Sequence, residues 1–119
     1  MMLKRIINKL RRPNSTWKRF GNYCLNYISK SLRIPYALGF PESIFIEPTN
    51  ICNLKCPLCP TGSGNKKREK GILTLSNFKK IIDEIGGYLY DLALTNYGEP
   101  FLNPQILEMV SYAQERRIS

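Results

Sequence analysis

The stretch SIFIEPTNICNLKCPLC, residues 43–59, decides how the chain is read. Its opening, Ser43-Ile44-Phe45-Ile46-Glu47, is rich in β-formers and stops at Pro48, which predicts a buried strand. Three cysteines, Cys52, Cys56 and Cys59, follow within eight residues. They lie in a segment running from Thr49 to Gly71, punctuated by Pro57, Pro60, Gly62 and Gly64 and carrying the basic run Lys66-Lys67-Arg68. A loop of that length inside a compact domain signals function or disorder. The basic run itself reads as a solvated part of the loop.

Downstream, Thr74 or Ser76 can cap a helix whose apolar stripe is Leu75, Phe78, Ile81, Ile82 and Ile85, stopped by Gly86-Gly87. A second strand is predicted from about Tyr90 to Asn96, followed by Gly98-Glu99-Pro100. Asn103 caps and Pro104 opens a last helix, with Ile106, Leu107, Val110 and Ala113 facing inward. The order strand, loop, helix, strand, loop, helix builds parallel sheets, so the fold class is α/β. Functional loops in such folds follow the C-terminal ends of strands, which puts the cysteine loop and Glu99 on one face.

Upstream lies a leader of different character. The first 40 residues hold nine bases and no acid, while from Pro41 onward nine bases meet nine acids. The whole net charge of +9 therefore sits in residues 1–40, and residues 41–119 form a separate, neutral domain. Leu3, Ile6, Ile7 and Leu10 predict a short amphipathic helix ended by Pro13. Trp17, Phe20, Cys24, Tyr27, Ile28 and Leu32 mark the apolar face of a second helix. The leader can lie on an anionic membrane surface or pack on the domain as an extension, and its aromatic stripe favours packing. Its charge allows nucleic-acid contact, but no recognition motif supports one. No run of 18 apolar residues exists and no secretory signal pattern is present, which predicts a cytoplasmic protein.

The chain has four cysteines and no histidine. Clustering in a chain without a secretory signal points to a metal and not to a disulfide scaffold. Three thiolates suit a [4Fe–4S] cube with one iron left open, whereas electron-transfer clusters use four cysteines. A structural zinc would need a fourth ligand from Cys24, an acid or another chain segment. Cys24 lies on an apolar helix face, where a buried thiol is the plainer reading.

The sequence Glu47-Pro48-Thr49-Asn50-Ile51-Cys52-Asn53-Leu54-Lys55-Cys56-Pro57-Leu58-Cys59-Pro60 resembles the cluster loop of the radical S-adenosylmethionine superfamily. With Thr61-Gly62-Ser63-Gly64 and Asn96-Tyr97-Gly98-Glu99-Pro100, it is most similar to members that carry a C-terminal SPASM domain. The resemblance covers about Pro41 to Ser119 and implies the N-terminal part of a partial (β/α)6 TIM-like barrel, about two βα units, behind the basic helical leader. It further implies that Cys52, Cys56 and Cys59 hold a [4Fe–4S] cluster. S-adenosyl-L-methionine would chelate the open iron and be cleaved reductively to a 5′-deoxyadenosyl radical. Leu58, Gly98, Glu99 and Pro100 would line the cofactor pocket, with Glu99 accepting a bond from the methionine amino group. A one-electron reductant such as a flavodoxin or ferredoxin, and a peptide or small-molecule substrate, complete the implied partners. The position of Leu58 is often aromatic in the superfamily, and Tyr97 stands where a further glycine is usual. A full eight-unit barrel takes about 250 residues, so the chain reads as a truncated product or an incomplete sequence. A non-catalytic iron–sulfur or zinc module is the alternative reading.

Overall fold

The computed structural model describes residues 2–64 and 68–119, the side chains of residues 2, 3 and 5 excepted. The Leu3 side chain of the first predicted stripe, and Lys66 and Lys67 of the basic run, lie outside the described residues. The elements in chain order are α1 (Met2–Leu10), α2 (Trp17–Ser31), β1 (Ser43–Phe45), α3 (Leu75–Ile85), β2 (Asp91–Ala93) and α4 (Ile106–Glu115). A single 3-10 turn spans Pro100–Leu102. No helix among the described residues is long and apolar enough to cross a membrane.

The architecture is mixed α/β. Strands β1 and β2 pair in parallel, with Ser43 opposite Asp91, Ile44 opposite Leu92 and Phe45 opposite Ala93. Helices α3 and α4 cover one face. Phe78, Ile82, Leu89, Met109, Ala113 and Ile118 are buried together, with Ile44, Ile46, Leu92 and Leu94 packed against them. Burying each such side chain contributes roughly 1.5–3 kcal/mol. On the edge of β2 away from β1, the Leu92 N–H donates to Ser119 O (2.7 Å) and the Ser119 N–H donates to Tyr90 O (3.0 Å). Those two bonds are the parallel-ladder pattern, so Ser119 lies where a third parallel strand would begin.

Helix α3 forms as its sequence dictates. The Thr74 hydroxyl accepts from the Asn77 N–H and Gly86 ends the helix. Two expectations are corrected. Both strands are shorter than the sequence suggested, and β1 is buried on one face only, because Phe45 is 76% exposed. In α4, Ile106, Met109 and Ala113 are buried while Leu107 and Val110 are exposed. The helix carries two overlapping apolar stripes, and the inner one includes Met109.

The leader packs on the N-terminal ends of the strands. Arg12 donates to both carboxylate oxygens of Asp91 at 2.8 Å, and Lys9 pairs with Glu42 at 2.8 Å. Buried Asn14 donates to Tyr90 O at 2.8 Å. The helix α2 turns the opposite way from the sequence expectation. Its buried residues are Arg19, Asn22 and Ser29. Asn22 and Asn26 each donate to Phe40 O, at 2.9 and 2.8 Å, and the Ser29 hydroxyl accepts from the Leu38 N–H. The segment after α2 thus lies along its polar face, and a side chain at Gly39 would meet the Asn22 and Asn26 amides at 2.6 and 2.7 Å. Trp17 and Leu32, expected to face inward, are 88% and 68% exposed.

Arg19 explains the orientation. Its guanidinium donates to Asn14 O (2.6 Å), Arg117 O (2.6 Å), Arg116 O (2.8 Å) and Gly86 O (3.2 Å). Those carbonyls include the C-terminal ends of α3 and α4, neither of which has a basic residue in its last turn. One cation from the leader therefore serves two helix dipoles at once. Burial pulls the Arg19 pKa below its ordinary value, with the Tyr90 phenol offsetting this in part and Arg117 adding to it.

Candidate functional site

The cysteine loop leaves the C-terminal end of β1 and is closed at its neck. Leu73 N–H donates to Pro48 O at 2.8 Å, and Thr49 and Ile72 form an antiparallel bridge. The buried Thr49 hydroxyl donates to Gly71 O (2.9 Å) and accepts from the Ile51 N–H (3.1 Å). Asn50 accepts from the Gly71 N–H (2.7 Å) and donates to Glu69 O (2.6 Å). These short polar side chains at the strand end replace a sheet ladder and return the chain toward α3.

The second loop is locked to this neck. Glu99 N–H donates to Ile51 O at 2.9 Å. Gly98 lies so close to the Thr49 carbonyl that a side chain there would overlap it, with Asn50 Cα a further 3.0 Å neighbour. Only glycine permits that backbone approach. Asn103, fully buried, donates to both Pro48 O and Leu73 O at 2.9 Å, and its side-chain oxygen accepts from the Gln105 N–H. The sequence marked Asn103 as the cap and Pro104 as the first residue of the last helix; α4 instead starts at Ile106 with Gln105 at its N-cap and no side-chain cap bond. Asn103 ties the entry of α4 to both sides of the cysteine-loop neck.

Glu47 is a functional candidate that the sequence reading passed over. One carboxylate oxygen accepts from the Tyr97 N–H at 3.1 Å, and the other pairs with Arg68 at 2.7 Å. Its side chain is only 15% exposed. An acid between a β-rich run and a proline was the available signal.

Within the loop, Cys59 N–H donates to Cys56 O at 3.1 Å, and the Leu54 N–H approaches Cys52 Sγ at 3.4 Å. Gly62 folds back on Cys56, where an added Cβ would meet the Cys56 nitrogen at 2.6 Å and its oxygen at 2.8 Å. All three cysteines are free: Cys56 is exposed, and Cys52 and Cys59 are half-buried. Cys52 lines a cavity of about 460 Å3 together with Asn50, Ile51, Pro60, Thr61, Arg68, Lys70 and Tyr97. Among the described residues, no three Cys, His, Asp or Glu side chains lie close enough to hold a metal ion. The donor set thus fits an iron–sulfur group in kind, three unpaired accessible thiols on one loop, while the loop holds them apart. Leu58 is 98% exposed. Pro100 opens the 3-10 turn, and the Glu99 carboxylate accepts from the Phe101 N–H at 3.3 Å. Cys24 remains in α2, outside this region.

Two loops from parallel strands, one carrying three thiols and the other a carboxylate, are thus bonded to each other through their backbones. The chain is similar to the radical S-adenosylmethionine superfamily, as the cysteine loop indicated. The relatives that carry this likeness are mycofactocin maturases MftC. Those of two Mycobacterium tuberculosis strains are 35% identical over 81 residues, and that of Mycobacterium ulcerans is 32% identical over 83 residues. The matches cover 68–70% of this chain but only 20–22% of the relatives. The chain therefore spans about a fifth of the length of the curated relatives it matches. No family model matches the chain, and no solved structure matches it.

Proposed function

We propose that this chain is part of a radical S-adenosylmethionine enzyme, with residues 1–40 as an extension and residues 41–119 as the opening βα units of a partial (β/α)6 barrel. Cys52, Cys56 and Cys59 are the residues that would hold a [4Fe–4S] cluster. Gly98, Glu99, Pro100 and Leu58 would border S-adenosyl-L-methionine. When bound, the pair supplies one-electron cleavage of the sulfonium and a radical for hydrogen abstraction. The protein's own part is positioning. Thr49 and Asn50 close the neck of the cysteine loop, and Gly98 lets the second loop approach it. Glu99 presents a carboxylate, which suits an amino group. A flavodoxin or ferredoxin would supply the electron, and the name maturase carried by the relatives favours a peptide substrate.

The observation that carries this reading is the Cys52, Cys56, Cys59 spacing on a loop whose Ile51 carbonyl accepts the Glu99 N–H at 2.9 Å. Anaerobic reconstitution with iron and sulfide tests it. The expected outcome is about four irons per chain, lost on Cys→Ala at 52, 56 or 59 and retained in Cys24→Ala. Addition of S-adenosyl-L-methionine should then change the spectrum of the reduced cluster, because one iron is open. Uptake of a single zinc with no iron would favour the structural-metal alternative. Iron uptake with no spectral response would favour an electron-transfer module.

A further inference from the structure

The leader presents an apolar ridge outward, and we propose that this ridge docks the protein on an anionic membrane surface. In α2, Trp17, Leu25, Ile28 and Leu32 fall within an arc of about 80° at ~100° per residue. All four are exposed, at 88%, 44%, 43% and 68%. They stay exposed because the opposite side of the helix is committed: Arg19 holds the ends of α3 and α4, and Asn22, Asn26 and Ser29 hold the segment ending at Phe40. An ordinary surface helix buries its apolar stripe and exposes its polar one. Here the polarity is reversed, so the apolar stripe has no partner within the described residues.

Charge decides what covers it. The first 40 residues carry nine bases and no acid, and Lys4, Arg11, Lys18, Lys30 and Arg33 are exposed. Two copies meeting through this leader would repel each other. An acidic lipid surface would instead attract the bases while the ridge enters the headgroup boundary, the usual combination for interfacial helices. Trp17 stands at one end of the ridge, and tryptophan favours that boundary. Docking here also leaves the cysteine loop free. The leader contacts the N-terminal ends of the strands through Arg12–Asp91 and Lys9–Glu42, whereas the loop leaves the C-terminal end of β1.

Vesicle binding by the full chain tests the proposal. Trp17 is the one tryptophan, so its emission reports on the ridge directly. Vesicles of equal parts phosphatidylglycerol and phosphatidylcholine should co-sediment the protein and move its emission to shorter wavelength. Phosphatidylcholine alone, or raised salt, should do neither. Lys18→Gln, at the border of the ridge, should lower the partition coefficient about fivefold. The double variant Ile28→Asp, Leu32→Asp changes only exposed positions. It should abolish the emission shift while the far-ultraviolet circular dichroism stays unchanged. Four results would overturn the proposal: no shift with the anionic vesicles; a shift without lipid that grows with protein concentration, which assigns the ridge to a second copy; an equal shift with polyglutamate, which assigns it to an acidic polypeptide; or undiminished vesicle binding by the double variant.

Discussion

Replacing Arg19 by Met should remove the largest single tie between the leader and the βα part. The side chain is 2% exposed and makes bonds of 2.6, 2.6, 2.8 and 3.2 Å to four carbonyls. Taken singly, charge-assisted bonds are worth about 1.5–3 kcal/mol each, and simple addition would overshoot. Desolvation of the cation opposes them, and Arg19 Nε is buried with no partner, a standing cost. Removing one side of a buried charged network costs about 3–5 kcal/mol in practice. At roughly 4 °C per kcal/mol for a domain of this size, the midpoint of thermal unfolding should fall by about 12–20 °C. Circular dichroism melts of the full chain measure it. Arg19→Lys keeps the charge but not the fork that reaches both helix ends, so it should recover about half of the loss. A midpoint within about 3 °C of the parent for Arg19→Met would refute the reasoning, since that corresponds to less than 1 kcal/mol.

Gly98→Ala should destabilise the chain by about 1–3 kcal/mol, because its Cβ overlaps the Thr49 carbonyl and the two loops must separate; hydrogen exchange at the Glu99 N–H should quicken in parallel, and an unchanged exchange rate would count against the locked-loop geometry. Asp83 accepts from the Tyr112 hydroxyl (2.7 Å) and from Arg116 (2.8 Å), which hold its carboxyl below the ordinary value of 3.8. The stability this contributes is fully present above that ordinary value and is lost as pH falls through the depressed folded value. Asp83→Asn should therefore flatten the acid limb of a stability–pH curve by lowering the neutral region slightly, with parent and variant converging below the depressed value, as denaturant melts across that range would show.

What the sequence disclosed was what local chemistry controls. Helix α3 was legible because Thr74, the stripe through Phe78 and Ile82, and Gly86 are all signals within one segment. The parallel pairing of β1 and β2 followed from the alternation of strands and helices. The strand lengths and the inner face of α4 were not legible. Ile106, Leu107, Met109, Val110 and Ala113 satisfy more than one helical stripe, and only the packing against Phe78 selects the one through Met109. The helix α2 shows the same limit more sharply. Periodicity says which residues share a face, and it correctly grouped Trp17, Ile28 and Leu32. Which face meets the body depended on Arg19 finding carbonyls of Gly86, Arg116 and Arg117, between 67 and 98 residues away. The leader's charge read as separable for the same reason: its partners are distant in sequence.

The site has a related property. Three consecutive residues of the second loop are each held by the first: Tyr97 N–H by the Glu47 carboxylate, Gly98 by contact with Thr49, and Glu99 N–H by the Ile51 carbonyl. Each hold acts on the backbone, and none uses the Glu99 side chain. The position of Glu99 is thus set by Glu47, Thr49 and Ile51, while among the described residues its carboxylate bonds the exposed Phe101 N–H. An amide at that position could accept the same bond, so Glu99→Gln separates chemistry from architecture. Glu47 is different in kind. It joins the second loop to Arg68 at the far side of the cysteine loop, so its loss would disturb both walls of the cavity at once. Glu47 thus positions the second loop against the first, while the chemical role proposed for Glu99 rests on a carboxylate whose place is set by other residues.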